Sequence, residues 1–194
     1  YTAQPADLRQ FGVPENAFTI ACVANYRPRK GIEVLVEALE RLPQSCDAHV
    51  LLVGRMDSPK LDKAVRKAGV EDRVHRLGFR TDAPSITAAC DVFVLPSVKR
   101  EGLARSLIEA MAYGVAPIVT DCGGSPELVR HKECGLVVPV RDAAALADAI
   151  VMLCADPELR RRYAAAARDR IADDFRIETT IEKTLALYKE LLAE

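Results

Sequence analysis

Hydrophobic residues in this chain fall into short runs, and between these runs the apolar positions recur with helical spacing. The runs are rich in β-branched residues, which is typical of buried strands. We predict strands at Phe18–Ala24, Ala48–Val53, Val74–Leu77, Asp91–Leu95, Ala116–Thr120 and Gly135–Val138. We predict the intervening helices at Ile32–Arg41, Lys60–Lys67, Ser85–Ala89, Arg105–Tyr113 and Pro126–Arg130. Because strands and helices alternate, we expect a parallel sheet with helices on both faces.

Three further helices are predicted after the last strand, at Ala143–Ala155, Glu158–Ala172 and Glu178–Leu192. Right-handed crossovers between parallel strands then give an α/β fold with a doubly wound, six-stranded, Rossmann-like sheet. We divide the chain into a loop-like segment at 1–17, the sheet domain at 18–175 and a C-terminal helix at 176–194. In a sheet of this kind, ligands bind at the carboxyl ends of the strands.

Composition and charge exclude some classes of function. Hydrophobic residues make up 49% of the 194 residues and charged residues 28%, as in a globular domain with a full core. The formal net charge is −1, so no broad electrostatic field attracts nucleic acid or anionic lipid. One basic cluster comprises Arg160 to Arg162 with Arg168 and Arg170. We interpret it as the solvated face of a helix, with a phospholipid-facing role as the alternative.

Cysteine usage and the lack of long apolar runs bear on the compartment. The six cysteines form no CxxC pair and have no histidine at metal-ligand spacing, and the three histidines are interpreted as isolated. Reduced thiols are typical of the cytoplasm. No signal peptide is recognisable, and no apolar run approaches the roughly 20 residues that span a bilayer. We therefore expect a cytoplasmic protein, with peripheral membrane association of the full-length protein as an alternative.

Two glutamates, Glu101 and Glu109, flank the predicted start of the helix that follows the fourth strand. The first backbone N–H groups of a helix have no intrahelical partner and carry the positive end of its dipole, so a phosphate can bind there. A carboxylate on either side can accept hydrogen bonds from sugar hydroxyls. The spacing therefore predicts a site for a phosphate flanked by polyols, as in a nucleotide sugar.

Five short motifs, in order along the chain, resemble the donor-binding half of family-4 retaining glycosyltransferases of the GT-B architecture. They are Lys30-Gly31, Leu51-Leu-Val-Gly54, Glu101-x7-Glu109, Ala110-Met-Ala-x-Gly114 and Gly123-Gly-Ser-Pro-Glu127. The resemblance extends from about Phe18 to the last helix, so it implies one half of a GT-B fold. The segment 1–17 would then be a remnant of the interdomain hinge, and the helix at 176–194 would pack back toward a missing N-terminal, acceptor-binding domain.

The resemblance also implies a role for each matching residue. Glu109 would bind the ribose hydroxyls, Glu101 would act at the transferred sugar, and Lys30 would supply positive charge to the diphosphate. Backbone or side-chain donors around the helix start would hold the sugar and the phosphates, and these are Gly102, Leu103, Ala104, Arg105 and Ser106. The apolar neighbours of Glu109 predict that it is buried in the flank of the sheet. The alternatives are a structural hydrogen bond for Glu109 and an exposed loop glutamate for Glu101.

Two positions depart from the family pattern, and one is Ala104, where family members commonly have glycine. Asn25 stands where the family places an arginine that contacts the diphosphate, and Arg27 or Arg29 is the candidate replacement from the same loop. The loops after the second and third strands border the nucleobase in the family, which assigns base contacts to Gly54, Arg76, Phe79 and Arg80. We interpret Gly123-Gly124 as a turn into a helix that Ser125 caps.

The expected function is donor binding in a retaining glycosyltransferase that uses a nucleotide-diphosphosugar, with UDP favoured by its frequency in the family. The resemblance implies no metal and no other cofactor, and the isolated chain is expected to be inactive in transfer. Two alternatives stay open: another GT-B enzyme, such as a sugar-nucleotide epimerase or a phosphorylase, and a nucleotide-sugar-binding module without transfer activity. The sugar, the acceptor and the oligomeric state are not determined by these motifs.

Overall fold

The strands of the sheet alternate with helices from the first strand to the helix after the last strand, and two further helices follow, as the hydrophobic pattern predicts. A computed structural model describes residues 3–175 and 177–192. Its strands are β1 (Phe18–Val23), β2 (Ala48–Val53), β3 (Val74–Gly78), β4 (Val92–Leu95), β5 (Ala116–Thr120) and β6 (Leu136–Val138). They form one parallel sheet in the order β3-β2-β1-β4-β5-β6. The prediction of a doubly wound, six-stranded, Rossmann-like sheet is confirmed.

The helices match the predicted ones to within a few residues at each end. They are α1 (Ile32–Glu40), α2 (Pro59–Ala68), α3 (Ala83–Ala88), α4 (Arg105–Ala112), α5 (Ser125–Leu128), α6 (Ala143–Ala155), α7 (Pro157–Asp174) and α8 (Ile177–Leu191). Short 3-10 turns lie at Leu8–Phe11, Pro28–Lys30 and Glu71–Arg73. In the described residues, no helix is both long enough and apolar enough to cross a membrane.

Two apolar layers, one on each face of the sheet, form the core. Successive residues of a strand point to opposite faces, so Val92 and Val94 of β4 join one layer while Phe93 and Leu95 join the other. The first layer packs against α1, α2 and α6, and the second against α3, α4 and the end of α7. Burial on both faces explains why the inner strands β4 and β5 are almost continuous apolar runs, whereas the edge strand β3 is only partly buried and carries a histidine and an arginine.

The segment before β1 packs on the second layer. Val13 is buried there, and the Ala6 backbone N–H donates to the Ser85 carbonyl at 3.0 Å. At the other end of the chain, α8 is exposed from residue 181 to its end at residue 191. Of the two predicted terminal segments, residues 1, 2, 176, 193 and 194 lie outside the described residues. The division of the chain at 17 and 175 stays a prediction.

The arginines of α7 do not all form a solvated face. Arg160 donates to the Leu153 carbonyl at 2.7 Å, pairs with Asp91 at 3.1 Å and lies over the ring of Phe18. Arg170 donates to the Leu128 carbonyl at 2.8 Å. The prediction of a solvated cluster is wrong for these two residues, because their side chains join α7 to the sheet and to the end of α5.

The interpretation of His49 and His75 as isolated residues is wrong. They form a pair at the amino ends of β2 and β3. Their rings stack, and His49 Nδ1 lies 2.9 Å from His75 Nε2. Asp47 Oδ1 lies 3.3 Å from the other ring nitrogen of His49. Burial, and secondarily the neighbouring His49, lower the pKa of His75 below its usual value of 6.5. Pairing of adjacent parallel strands brings the two rings together.

We expect the free energy of unfolding to fall as the pH drops below about 6.5, because the unfolded chain then binds a proton that folded His75 resists. Urea unfolding of the wild type and of His75→Gln at about pH 7.5 and about pH 5.5 measures this. The substitution should reduce the loss of stability between the two pH values. An identical loss in both proteins would assign the pH dependence to other groups.

Candidate functional site

The topology places two loops side by side at the centre of the sheet. β1 and β4 are neighbours in the sheet. From β1 the chain continues to β2 on one side, and from β4 it continues to β5 on the other side. The loop after β1 and the loop after β4 therefore meet at the carboxyl edge, where doubly wound sheets bind ligands. The two loops are joined directly, because the Val98 N–H donates to the Arg29 carbonyl at 2.8 Å.

A cavity of about 440 Å³ opens between these two loops and the start of α4. It is lined by Val23, Ala24, Asn25, Arg27, Arg29, Lys30, Glu101, Leu103, Ala104, Arg105 and Ser106. Most of the predicted site residues of the first loop and of the helix start are thus brought to one place. The lining carries four cationic side chains and one carboxylate.

A second cavity of about 210 Å³ lies next to the first and shares its wall at Val23, Ala24 and Asn25. Its other lining residues are Val53, Gly54, Phe79, Arg80 and Ala83. Gly54 lets β2 end close to the first loop, since a Cβ there would overlap the Ala24 carbonyl. The ring of Phe79 is 73% exposed beside this cavity.

Two arginines with predicted base contacts are held by carboxylates of the chain itself. Arg80 makes two hydrogen bonds of 2.7 Å to Asp82 and also lies over the ring of Phe11. Arg76 lies inside β3, pairs with Asp62 and is not among the residues that line the second cavity. The structure therefore brings Gly54, Phe79 and Arg80 to one place and leaves Arg76 outside it.

Lys30 and Glu101 form a buried ion pair on the wall of the larger cavity. Lys30 Nζ donates to Glu101 Oε2 at 2.7 Å and to Oε1 at 3.0 Å. The two side chains are 15% and 6% exposed, respectively. The alternative of an exposed loop glutamate is therefore wrong for Glu101. Burying a carboxylate costs free energy unless a cation or hydrogen-bond donors pair with it, and the ammonium group of Lys30 is both.

Two hydroxyl groups that the motifs did not single out also contribute to holding this ion pair in place. Ser97 Oγ donates to Glu101 Oε2, and Thr120 Oγ1 donates to the Ser97 carbonyl. Both residues are fully buried at the ends of adjacent strands, β4 and β5. The sequence signal was their polar nature directly after apolar runs, but such positions are common at strand ends.

The backbone just before Glu101 is held in an uncommon conformation. Arg100 has φ +54°, a left-handed value that costs a non-glycine residue roughly 1 kcal/mol or more. Arg29 Nη1 donates to the Arg100 carbonyl at 2.8 Å. Arg29 thus fastens the first loop to the second next to Glu101.

Asn25 and Arg27 differ in what their side chains contact. Asn25 Oδ1 accepts a hydrogen bond of 3.0 Å from the Arg55 N–H, so this side chain joins the ends of β1 and β2. Arg27 is exposed at the cavity wall, and its guanidinium has no ion pair or hydrogen bond with any residue in 3–175 or 177–192. Of the two candidate replacements for the family arginine, Arg27 is the one whose guanidinium is not already bonded to another loop of the described chain.

Glu109 is less buried than its apolar neighbours in the sequence indicated. α4 directs Leu107, Ala110 and Met111 inward, whereas the side chain of Glu109 is 24% exposed and accepts a 2.8 Å hydrogen bond from Arg105. The expectation that it lies buried in the flank of the sheet is wrong, because α4 is amphipathic. The pair is one turn apart, on the face of α4 away from the core.

The Gly123-Gly124 turn packs under the Glu101 loop. Gly123 has φ +56°, and a Cβ there would overlap the Glu101 carbonyl. The Gly124 N–H donates to the same carbonyl at 3.2 Å. The predicted capping role of Ser125 is wrong: Gly124 is the N-cap of α5, and Ser125 is buried with no hydrogen-bond partner for its Oγ among the described residues.

The electrostatics of the larger cavity favour an anion. Lys30 is paired with Glu101 and Arg105 with Glu109, while Arg27 adds positive charge that no described carboxylate neutralises. α4 begins at Arg105 after Ala104, which has no side chain that could cap the first N–H groups. These N–H groups and the helix dipole point to the same cavity.

Comparisons with known proteins agree with this geometry. The family model described as "Glycosyl transferases group 1" matches residues 3–170. The N-acetyl-alpha-D-glucosaminyl L-malate synthase of Bacillus anthracis is 31% identical over 189 residues, which cover 96% of this chain and 49% of that protein. A GDP-mannose-dependent alpha-(1-6)-phosphatidylinositol monomannoside mannosyltransferase of Mycobacterium tuberculosis is 34% identical over 175 residues, which cover 85% of this chain and 46% of that protein.

A solved structure with the same fold comes from Anabaena. Its HepE protein in complex with UDP-glucose superimposes with a TM-score of 0.84 at 29% identity, over 92% of this chain and 51% of that one. The chain spans about half the length of the curated relatives it matches. On the family model and these relatives, the chain belongs to the group 1 glycosyltransferases, whose GT-B fold it matches over about one half.

Proposed function

We propose that this chain is the donor-binding half of a retaining glycosyltransferase that uses a nucleotide-diphosphosugar. The observation that carries the proposal is the cationic cavity at the carboxyl edge of β1 and β4, with a buried carboxylate on its wall. A diphosphate needs the positive charge, and a sugar beside it needs an oriented hydrogen-bond acceptor. The UDP-glucose bound by HepE and the GDP-mannose dependence of a mycobacterial relative support this class of donor.

In this proposal the donor spans both cavities. The nucleobase lies in the smaller one beside Phe79, and the diphosphate lies between Arg27 and the first N–H groups of α4. Glu109 reaches the ribose after its exposed pair with Arg105 opens, which costs only about 0–1 kcal/mol. The transferred sugar then lies against Glu101.

The chemistry assigned to these residues is electrostatic. As the bond to the sugar breaks, negative charge grows on the leaving diphosphate, where Arg27 and the N-terminus of α4 stabilise it. Positive charge grows at the anomeric carbon, where the carboxylate of Glu101 stabilises it. Lys30 holds that carboxylate at the site through its two hydrogen bonds. Transfer with retention and without a bound metal stays a prediction, for which activity in the presence of a chelator is the test.

The exposed apolar stripe of α8 is proposed to pack on the acceptor-binding half of the full-length protein. The stripe consists of Ile181, Leu185 and Tyr188, which share one face of α8 and are all more than half exposed. An apolar face of this size on a described helix is typical of a surface that another domain covers. The stripe fits a chain that spans about half the length of its relatives.

Calorimetric titration of the wild-type chain tests the proposed function. UDP, UDP-glucose, GDP, GDP-mannose and uridine are titrated separately, and we expect one nucleoside diphosphate to bind more tightly than uridine. Absence of binding by both diphosphates contradicts the proposal. A nucleotide-sugar-binding module would bind in the same way, so transfer by the full-length protein separates that alternative. An epimerase would convert its nucleotide sugar without any acceptor.

Arg27→Ala is expected to weaken UDP binding about tenfold or more and to leave uridine binding unchanged. The reason is that a hydrogen bond to a charged group contributes about 1.5–3 kcal/mol, and uridine has no phosphate to lose it. Arg29→Ala is the matched comparison, since Arg29 is bound to the Arg100 carbonyl and should discriminate less between the two ligands. If Arg27→Ala weakens the binding of UDP and of uridine equally, Arg27 does not contact the diphosphate.

A further inference from the structure

Two side-chain hydroxyl groups, those of Ser97 and Thr120, help to hold Glu101 in place in addition to Lys30. Thr120 Oγ1, at the end of β5, donates to the carbonyl of Ser97, and Ser97 Oγ donates to Glu101 Oε2. Ser97 and Thr120 are completely buried, so no water replaces these contacts easily. Ser97 lies in the same loop as Glu101, so the bond from Thr120 to the Ser97 carbonyl connects that loop, and with it the carboxylate, to the end of β5.

The ion pair alone does not determine the direction of the carboxylate. Lys30 Nζ contacts both oxygens, at 2.7 and 3.0 Å, and an ammonium on a flexible stem tolerates many carboxylate orientations. Ser97 contacts only Oε2 and approaches from the sheet. Oε1 is the oxygen that has no second protein donor among the described residues, so it keeps hydrogen-bonding capacity for a ligand.

We propose that Ser97 is a positioning residue, held in place by Thr120, that turns Glu101 so that Oε1 faces the transferred sugar. This inference rests on the proposed function, because it concerns the sugar part of the same donor site. It predicts that the hydroxyls matter for the sugar and not for the nucleotide. A merely structural role would weaken both or neither.

The test compares two ligands that differ only by the sugar. Titration with UDP and UDP-glucose, or with GDP and GDP-mannose if the chain prefers guanine, gives the ratio of the two Kd values. We expect Ser97→Ala to reduce the affinity for the sugar-bearing ligand about five- to tenfold, with less than about a twofold change for the diphosphate alone. Thr120→Val, an isosteric change, should act in the same direction, and Thr120→Ser should restore the wild-type ratio.

Coupling to Glu101 separates this mechanism from a general loss of order. In a Glu101→Ala background, Ser97→Ala should have no further effect on the ratio, because the oxygen that Ser97 Oγ contacts is then absent. Thr19→Val is the matched control: its Oγ1 also bonds a carboxylate, that of Asp91 at 2.8 Å, but at the opposite edge of the sheet. It should lower the free energy of unfolding and leave the ratio unchanged.

Each outcome decides a separate point. An unchanged ratio in Ser97→Ala, or an equal loss for both ligands, overturns the role of Ser97 and leaves nucleotide binding standing. A wild-type chain that binds the diphosphate and gains nothing from the sugar also overturns it. A wild-type chain that binds neither diphosphate overturns the proposed function itself, and with it this inference.

Discussion

Replacing Lys30 with methionine is expected to lower the free energy of unfolding by up to about 3 kcal/mol, the lower end of the range for breaking a buried ion pair. The substitution keeps most of the side-chain volume but leaves the carboxylate of Glu101, which is 6% exposed, without its charged partner. Urea unfolding measures the loss. Lys63→Met, at an exposed lysine of α2, is the matched control and should change stability little.

A second substitution shows whether the loss comes from the unpaired charge. Adding Glu101→Gln to Lys30→Met removes the buried charge, so the double variant should recover part of the lost stability. Both variants should bind nucleotide sugar poorly, because the site lacks its cation or its carboxylate. The single variant Glu101→Gln is measured as well. If the stability losses of the two single variants add up to that of the double variant, the two side chains do not act as a pair.

Replacing Gly123 with alanine is expected to cost about 3 kcal/mol of stability or more and to displace the Glu101 loop. A left-handed φ of +56° costs an L-residue roughly 1–2 kcal/mol, and the new Cβ would also overlap the Glu101 carbonyl. Nucleotide-sugar affinity should fall with it, since Glu101 moves with its backbone. The unfolding free energy and the affinity are measured on the same preparation.

Gly69 provides a control with the same backbone conformation and no neighbour. Its φ is +62°, and a Cβ there would meet no atom within 4 Å. Gly69→Ala therefore pays the conformational cost alone, about 1–2 kcal/mol, and should leave ligand affinity unchanged. Equal destabilisation by the two substitutions would mean that the turn at Gly123 relaxes without moving the loop above it.

Much of the fold could be predicted because the burial of a strand or helix determines the pattern of apolar residues along it. Strands covered on both faces must be continuous apolar runs, and β2, at Ala48–Val53, was predicted with the bounds that it has. Caps and turns are also local, which is why most helix ends agree to within a few residues. Ser125 shows the limit: Gly124 is the N-cap instead, because the turn is shaped by its contact with Glu101 and not by a side-chain bond.

The candidate site was predicted as a set of residues but not as a set of contacts. Arg27, Lys30 and Glu101 were assigned from motif spacing and family resemblance, and the structure brings them to one cavity. The ion pair between Lys30 and Glu101 could not be predicted from the sequence. Lys30 and Glu101 are 71 residues apart, and they meet only because β1 lies beside β4 in the sheet.

Tertiary structure alone decided which polar groups are available to a ligand. His49 and His75 are neighbours because β2 and β3 pair, and Ser97 supports Glu101 because β4 and β5 end together. The sequence by itself determined the order of strands and helices, because hydrophobic period is a property of consecutive residues. Side-chain partners from distant segments depend on strand order and register, which no local pattern contains, so only the folded chain showed which charges are paired and which remain available.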